Sequence, residues 1–166
     1  MTFDPERLLL TLNRHGVKYV MVGGLAAAAH GSTLPTEDLD IAPARTKANL
    51  SRLAQALDEL NARIRTSNEP KGVAFPRTAD FLAAQPHMLN LTTDLGDLDL
   101  TIAPAGFPAG YDDLIGSAVA IDFGDGTDTR VASLRDVITS KRAAGRPKDI
   151  AALPYLEALV EERGLD

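Results

Sequence analysis

The sequence predicts an α/β (α+β) protein in which a mixed β-sheet is flanked by helices and followed by a helical C-terminal tail over about residues 133–166. Three observations predict it. The short apolar run Lys18–Val22 leads directly into Gly23-Gly24, the pattern of a buried strand that turns tightly at its end. Asp38-Leu39-Asp40-Ile41 and Asp97-Leu98-Asp99-Leu100-Thr101-Ile102 alternate polar with apolar residues, as strands with one covered face do. Other segments carry apolar residues at helical spacing. With 166 residues, 45% of them hydrophobic, the chain reads as one domain, residues 1–166, with enough apolar material for a core.

Composition narrows the function classes. No apolar run approaches the roughly 18 residues of a membrane span, and Met1-Thr2-Phe3-Asp4-Pro5-Glu6 is polar and acidic where a signal peptide would be basic, so a cytoplasmic protein with no membrane partner is expected. The chain has no cysteine, which excludes disulfides and thiol chemistry, and His15, His30 and His87 are not spaced as a zinc-binding pair. A net charge of -6 argues against a globally basic nucleic-acid binder and leaves room for a local basic patch.

The elements follow in chain order. Leu8, Leu9 and Leu12 predict a first helix over Asp4–His15, with Asp4 as N-cap, Pro5 at its first position and Gly16 as its stop. After the first strand, Leu25–Ala29 is an alanine-rich helix capped by His30-Gly31, a helix end being a more natural place for a capping or packing histidine than for a catalyst. Thr46 opens a helix to about Ala62 that buries Leu50, Leu53, Ala54, Leu57 and Leu60. Pro70, Gly72 and Pro76 punctuate the next stretch, where Thr78–Ala84 is either a short helix or part of a mobile loop over the site. His87–Thr92 is a strand, Asp94-Leu95-Gly96 a turn and Asp97–Ile102 a strand, with a short helix over Tyr111–Ile115. Val119–Phe123 and Thr129–Ala132 form a hairpin around Gly124-Asp125-Gly126. Ser133 caps a helix running to about Ala144, Gly145 ends it, and Lys148–Arg163 forms the last helix with Pro154 as a bending point.

The strand periods place chemistry on one face. Asp38 and Asp40 point the same way beside a glycine turn that lets the backbone approach a phosphate, an arrangement suited to divalent cations. A third carboxylate from a neighbouring strand would complete a cage. Asp99 is favoured over Asp97, which has the same facing but adjoins the Gly96 turn. Such a cage suits nucleotidyl transfer, whose main demand is charge neutralisation at the attacking and leaving oxygens, met by two metals about 3.5–4 Å apart. Arg135, Lys141, Arg142, Arg146 and Lys148 concentrate positive charge near the last two helices.

Gly23-Gly24, His30-Gly31, Thr36-x-Asp38-Leu39-Asp40-Ile41, Leu98-Asp99-Leu100 and Lys141-x4-Arg146-x-Lys148-Asp149 together span most of the chain. This set resembles the nucleotidyltransferase superfamily that includes DNA polymerase beta, and more closely the bacterial nucleotidyltransferase toxins of the AbiEii and MenT type. The resemblance implies a nucleotidyltransferase-type sheet, with two magnesium ions, or manganese in their place, at the catalytic Asp38, Asp40 and Asp99. It implies that Gly23 and Gly24 hold the triphosphate, that Lys141, Arg146 or Lys148 reach its phosphates, and that Asp149 belongs to the nucleotide site. The acceptor in the toxin families is typically transfer RNA, while minimal nucleotidyltransferase antitoxins modify a partner protein. One departure stands out: Leu34 occupies the position, two residues before Thr36, where many relatives carry arginine. That substitution keeps open a third reading, an inactive nucleotide-binding module.

Overall fold

A computed structural model describes residues 2–164 of the protein. Helix α1 (Pro5–Arg14) begins where the Asp4 carboxylate accepts a hydrogen bond from the Arg7 backbone N–H, and it buries Leu8, Leu9 and Leu12. Strand β1 (Tyr19–Val22) is buried at every position because it lies inside the sheet, and helix α2 (Gly23–Ala29) follows it without a loop. Strand β2 (Asp38–Pro43) returns beside β1. Helix α3 (Lys47–Glu59) starts at the Thr46 cap and presents Leu50, Leu53, Ala54 and Leu57 to the core. It stops short of residue 62 because Asn61 turns into a left-handed conformation, φ 54°, and the chain enters strand β3 (Arg63–Ile64), which no periodic pattern announced.

Of the two readings for the segment after β3, the structure has the helix: α4 (Ala79–Ala83), capped by Thr78, packs against α3. Strands β4 (Met88–Thr93) and β5 (Gly96–Thr101) form a hairpin across Asp94-Leu95, and helix α5 (Tyr111–Leu114) is one turn long. Strands β6 (Val119–Asp122) and β7 (Asp128–Val131) form the second hairpin. Helix α6 (Leu134–Ala144) has Ser133 as its cap and left-handed Gly145 at its end, and α7 (Pro147–Glu162) continues as one helix through Pro154.

Among the described residues, seven strands form one mixed sheet in the order β3-β4-β5-β2-β1-β7-β6. β1 pairs with β7, and β2 with β5, in parallel; the remaining neighbours are antiparallel. The strand alternation then sorts side chains by chemistry. Leu39, Ile41, Leu98 and Leu100 enter the apolar core with Leu8, Leu12, Leu50, Leu53 and Leu57. Their polar alternates open onto the other face. There α2 packs on β1 and β2, α6 on α2, and α7 on α6. Among the described residues no helix is long and apolar enough to cross a membrane.

Candidate active site

Parallel pairing of β2 with β5 sets Asp40 beside Asp99 and Asp38 beside Asp97. Of these four, Asp38, Asp40 and Asp99 each offer one carboxylate oxygen, and the three oxygens lie within 4.8 Å of one another. Asp97 is instead 3.5 Å from the guanidinium of Arg65. The three clustered groups oppose one another's ionisation. Burial, then the neighbouring charges of Asp38 and Asp99, push the Asp40 carboxyl up to about 8. Burial and a hydrogen bond to Asp38 raise Asp99 to about 6, against the opposing pull of Arg65. A divalent cation is the species that would relieve this repulsion, and carboxylate oxygens are the ligands magnesium and manganese prefer, so the residues fit the metal the resemblance implies.

The two glycines meet this cluster at the start of α2. Gly23 has φ +70°, and a Cβ there would collide with the Asp40 carboxylate. A Cβ on Gly24 would lie 2.8 Å from Thr36 Oγ1. The diglycine therefore first makes room for the β2 side chains, and both residues also line the cavity above them.

That cavity, about 880 Å³, brings together all nine residues singled out in the sequence. Lys141 from α6 and Arg146 and Lys148 at the start of α7 line it together with the three aspartates. Asp149 is 1% exposed and turns toward these cations. Its carboxylate accepts hydrogen bonds from Arg146 Nε at 2.6 Å and Nη2 at 3.2 Å, and it lies 3.5 Å from Lys141 Nζ. Burial opposes its ionisation, but Arg146 and Lys141 outweigh burial and hold the carboxyl below its ordinary value. His30 is buried at the end of α2 and donates from Nε2 to the Ala132 carbonyl at 2.8 Å, a packing role. Leu34 lines the cavity, 45% exposed.

Two cavity residues have no counterpart in the sequence reading of the site. Arg65, just past β3, donates from Nη2 to Asp99 Oδ1 at 2.9 Å and from Nη1 to the Leu91 carbonyl at 2.9 Å. A two-residue strand is too short to show a period, so nothing placed this arginine beside Asp99. Thr101 shares the Asp99 face, as its alternation predicts. Among the described residues its hydroxyl is the one buried side-chain polar atom without a hydrogen-bond partner. A buried hydroxyl left unpaired on a cavity wall is a feature that a bound ligand would satisfy.

No family model and no curated protein matches the chain. Solved structures do. The chain is similar to the antibiotic-resistance factor ANT(2'')-Ia, with a TM-score of 0.56 and 16% identity over 92% of this chain and 80% of that one. It is also similar to TM1012 of Thermotoga maritima, assigned as a nucleotidyltransferase, with a TM-score of 0.52 and 16% identity over 93% of this chain and 94% of that one. The fold is thus that of the nucleotidyltransferases.

Proposed function

We propose that this protein transfers a nucleoside monophosphate from a nucleoside triphosphate to a hydroxyl group, with Asp38, Asp40 and Asp99 as its metal-binding carboxylates. The observation that carries this reading is the meeting of those three carboxylates with Lys141, Arg146 and Lys148 in one cavity. Magnesium, or manganese in its place, held by the aspartates would neutralise charge developing on the attacking and leaving oxygens. Lys141, Arg146 and Lys148 bind the anionic triphosphate, and Gly23 and Gly24 let it approach the backbone. Asp149 serves the nucleotide indirectly, by holding Arg146 and Lys141 in place. Asp99, standing on a different strand from Asp38 and Asp40, is the carboxylate that takes the proton of the acceptor hydroxyl. The acceptor oxygen attacks the α-phosphorus, a new P–O bond forms, and pyrophosphate departs.

The acceptor we propose is transfer RNA, in the role of a toxin of a toxin–antitoxin pair, since a local basic patch on an acidic body suits phosphate contact near the site. The alternative is a hydroxyl on a partner protein. It is favoured by Met88 of β4, an apolar side chain that lines the cavity yet is 50% exposed, which suits a protein partner. Incubation with each labelled triphosphate, magnesium, total transfer RNA and cell extract separates the two by where the label goes. Asp40→Asn, which keeps the size and removes the charge, should abolish labelling. If folded wild type and variant both bind metal and triphosphate equally and transfer nothing, the enzyme reading fails and a nucleotide-binding module takes its place.

A further inference from the structure

We propose that Thr101 is the floor of an acceptor subsite beside Asp99, and that this subsite takes a nucleoside of an RNA acceptor, with the reacting sugar hydroxyl at Asp99 and the edge of its base on Thr101 Oγ1. The inference rests on the nucleotidyl-transfer reading of the aspartates and deepens it by naming what binds on the acceptor side. The sheet order divides the cavity. β1, which runs into Gly23 and Gly24, lies on one side of β2, and β5 and β4 lie on the other. Lys141 comes from α6, which packs on α2, and Arg146 and Lys148 stand at the start of α7, which packs on α6. The triphosphate therefore lies toward the glycines and these cations. In an in-line displacement the attacking oxygen enters opposite the departing one. Pyrophosphate leaves on the side of the glycines, so the acceptor approaches over β5 and β4. Its sugar hydroxyl gives its proton to Asp99 as its oxygen bonds to the α-phosphorus.

Thr101 is the polar group on that side with nothing yet to bind. It stands two residues beyond Asp99 on the same face of β5, about 6.5 Å along the strand. It is 7% exposed and lines the cavity, and among the described residues its hydroxyl has no hydrogen-bond partner. Buried hydroxyls are nearly always paired, because one left unpaired has lost its water for nothing. Its surroundings are apolar. Met88 stands opposite it across the β4–β5 pair, and Ala103, Pro104 and Phe107 line the cavity where the chain leaves β5. One polar atom among apolar walls suits a flat group with apolar faces and a polar edge, and a thioether is a favourable surface for a ring. Met88 on its own would serve a protein or a base; Thr101 separates the two. A serine, threonine or tyrosine side chain carries a single hydroxyl, which is spent at Asp99. A nucleoside carries, at some distance from its sugar hydroxyls, a base edge with donors and acceptors of its own.

The test measures transfer to total transfer RNA from triphosphates labelled at the α-phosphate, with magnesium and cell extract, and initial rates taken against each substrate in turn. Thr101→Val removes the hydroxyl at nearly constant volume. It should lower kcat/KM for transfer RNA about tenfold, the loss expected for one hydrogen bond to a base, while KM for the triphosphate stays that of wild type. Thr101→Ser, which keeps the hydroxyl, should recover most of that loss, and Met88→Ala should also lower kcat/KM for transfer RNA. Equal kcat/KM for transfer RNA in wild type and Thr101→Val overturns the subsite and leaves nucleotidyl transfer standing. Label that enters protein and not RNA has the same meaning. A loss that falls equally on both substrates, with Thr101→Ser no better than Thr101→Val, makes Thr101 a structural residue and also overturns it. If wild type moves no label to any acceptor, the transfer reading fails and the subsite with it. Should Thr101→Val not fold, Met88→Ala decides, and a value equal to wild type for transfer RNA counts against the proposal.

Discussion

At the scale of single residues, the cluster is held together against its own electrostatics. Asp40 in the folded chain keeps a proton to about pH 8, because burial and then the Asp38 and Asp99 charges disfavour its ionisation, whereas its ordinary value is 3.8. A raised carboxyl stabilises the fold below the unfolded value, and that contribution is lost as pH rises through the folded one. The metal-free protein should therefore lose thermal stability from about pH 4 to pH 8, and Asp40→Asn should flatten that slope while raising the metal-free Tm. If the three aspartates hold a metal in the folded chain, magnesium should stabilise wild type and not the variant; scanning calorimetry with and without the ion checks both outcomes. Glu59 shows the opposite sign. Hydrogen bonds from Arg14 and His15 lower its carboxyl from 4.5 to about 2. Its contribution is present above pH 4.5 and fades as pH falls toward 2. Glu59→Gln should make the acid limb of the stability curve shallower, with a small effect near neutrality because the group is exposed.

At the scale of elements, what could be read in the sequence was what repeats. The β2 and β5 alternation placed Asp38, Asp40 and Asp99 correctly on one face, and the caps Asp4, Thr46 and Ser133 each stand where the sequence put them. β3 was not legible, since its two residues show no period and its place is set by pairing with β4. Arg65 went unseen with it. The diglycine was legible as a close approach, but the groups that the fold brings against it are the Asp40 carboxylate and Thr36. That distinction predicts a mutational asymmetry. Gly23→Ala must strain a left-handed backbone and push Asp40 aside, at a cost of about 1–3 kcal/mol. At roughly 2–4 °C per kcal/mol in a chain of this size, the Tm should fall by several degrees, and Mn²⁺ binding should weaken with it. Gly24→Ala meets only the Thr36 hydroxyl and methine, which can shift, so its loss should be smaller by both readouts.

At the scale of the whole molecule, the site exists because distant parts of the chain converge: the β1–α2 junction, the β2–β5 pair and the α6–α7 corner, more than a hundred residues on. No periodicity announces that convergence; the resemblance read in Lys141-x4-Arg146-x-Lys148-Asp149 pointed to it, and those residues line the same cavity as the aspartates. Asp149 is the pin of the corner, binding the helix start through the Arg146 backbone N–H at 3.3 Å and its guanidinium at 2.6 Å, with Lys141 of α6 close by. Because Arg146 is 60% exposed and can be rehydrated once freed, Asp149→Ala should cost about 1–3 kcal/mol, the penalty of lost and unpaired hydrogen bonds rather than of a stranded buried charge. Asp149→Asn keeps the volume and an acceptor for the backbone N–H, so denaturant unfolding should place it nearer wild type. Both variants lose the charge that holds Arg146 and Lys141 in the cavity. If Asp149 positions those cations, both should bind triphosphate about tenfold more weakly, or 1.4 kcal/mol, while their metal-only Mn²⁺ count stays that of wild type. A loss confined to stability, with triphosphate affinity unchanged, would reduce Asp149 to a helix cap and leave the cations to hold themselves.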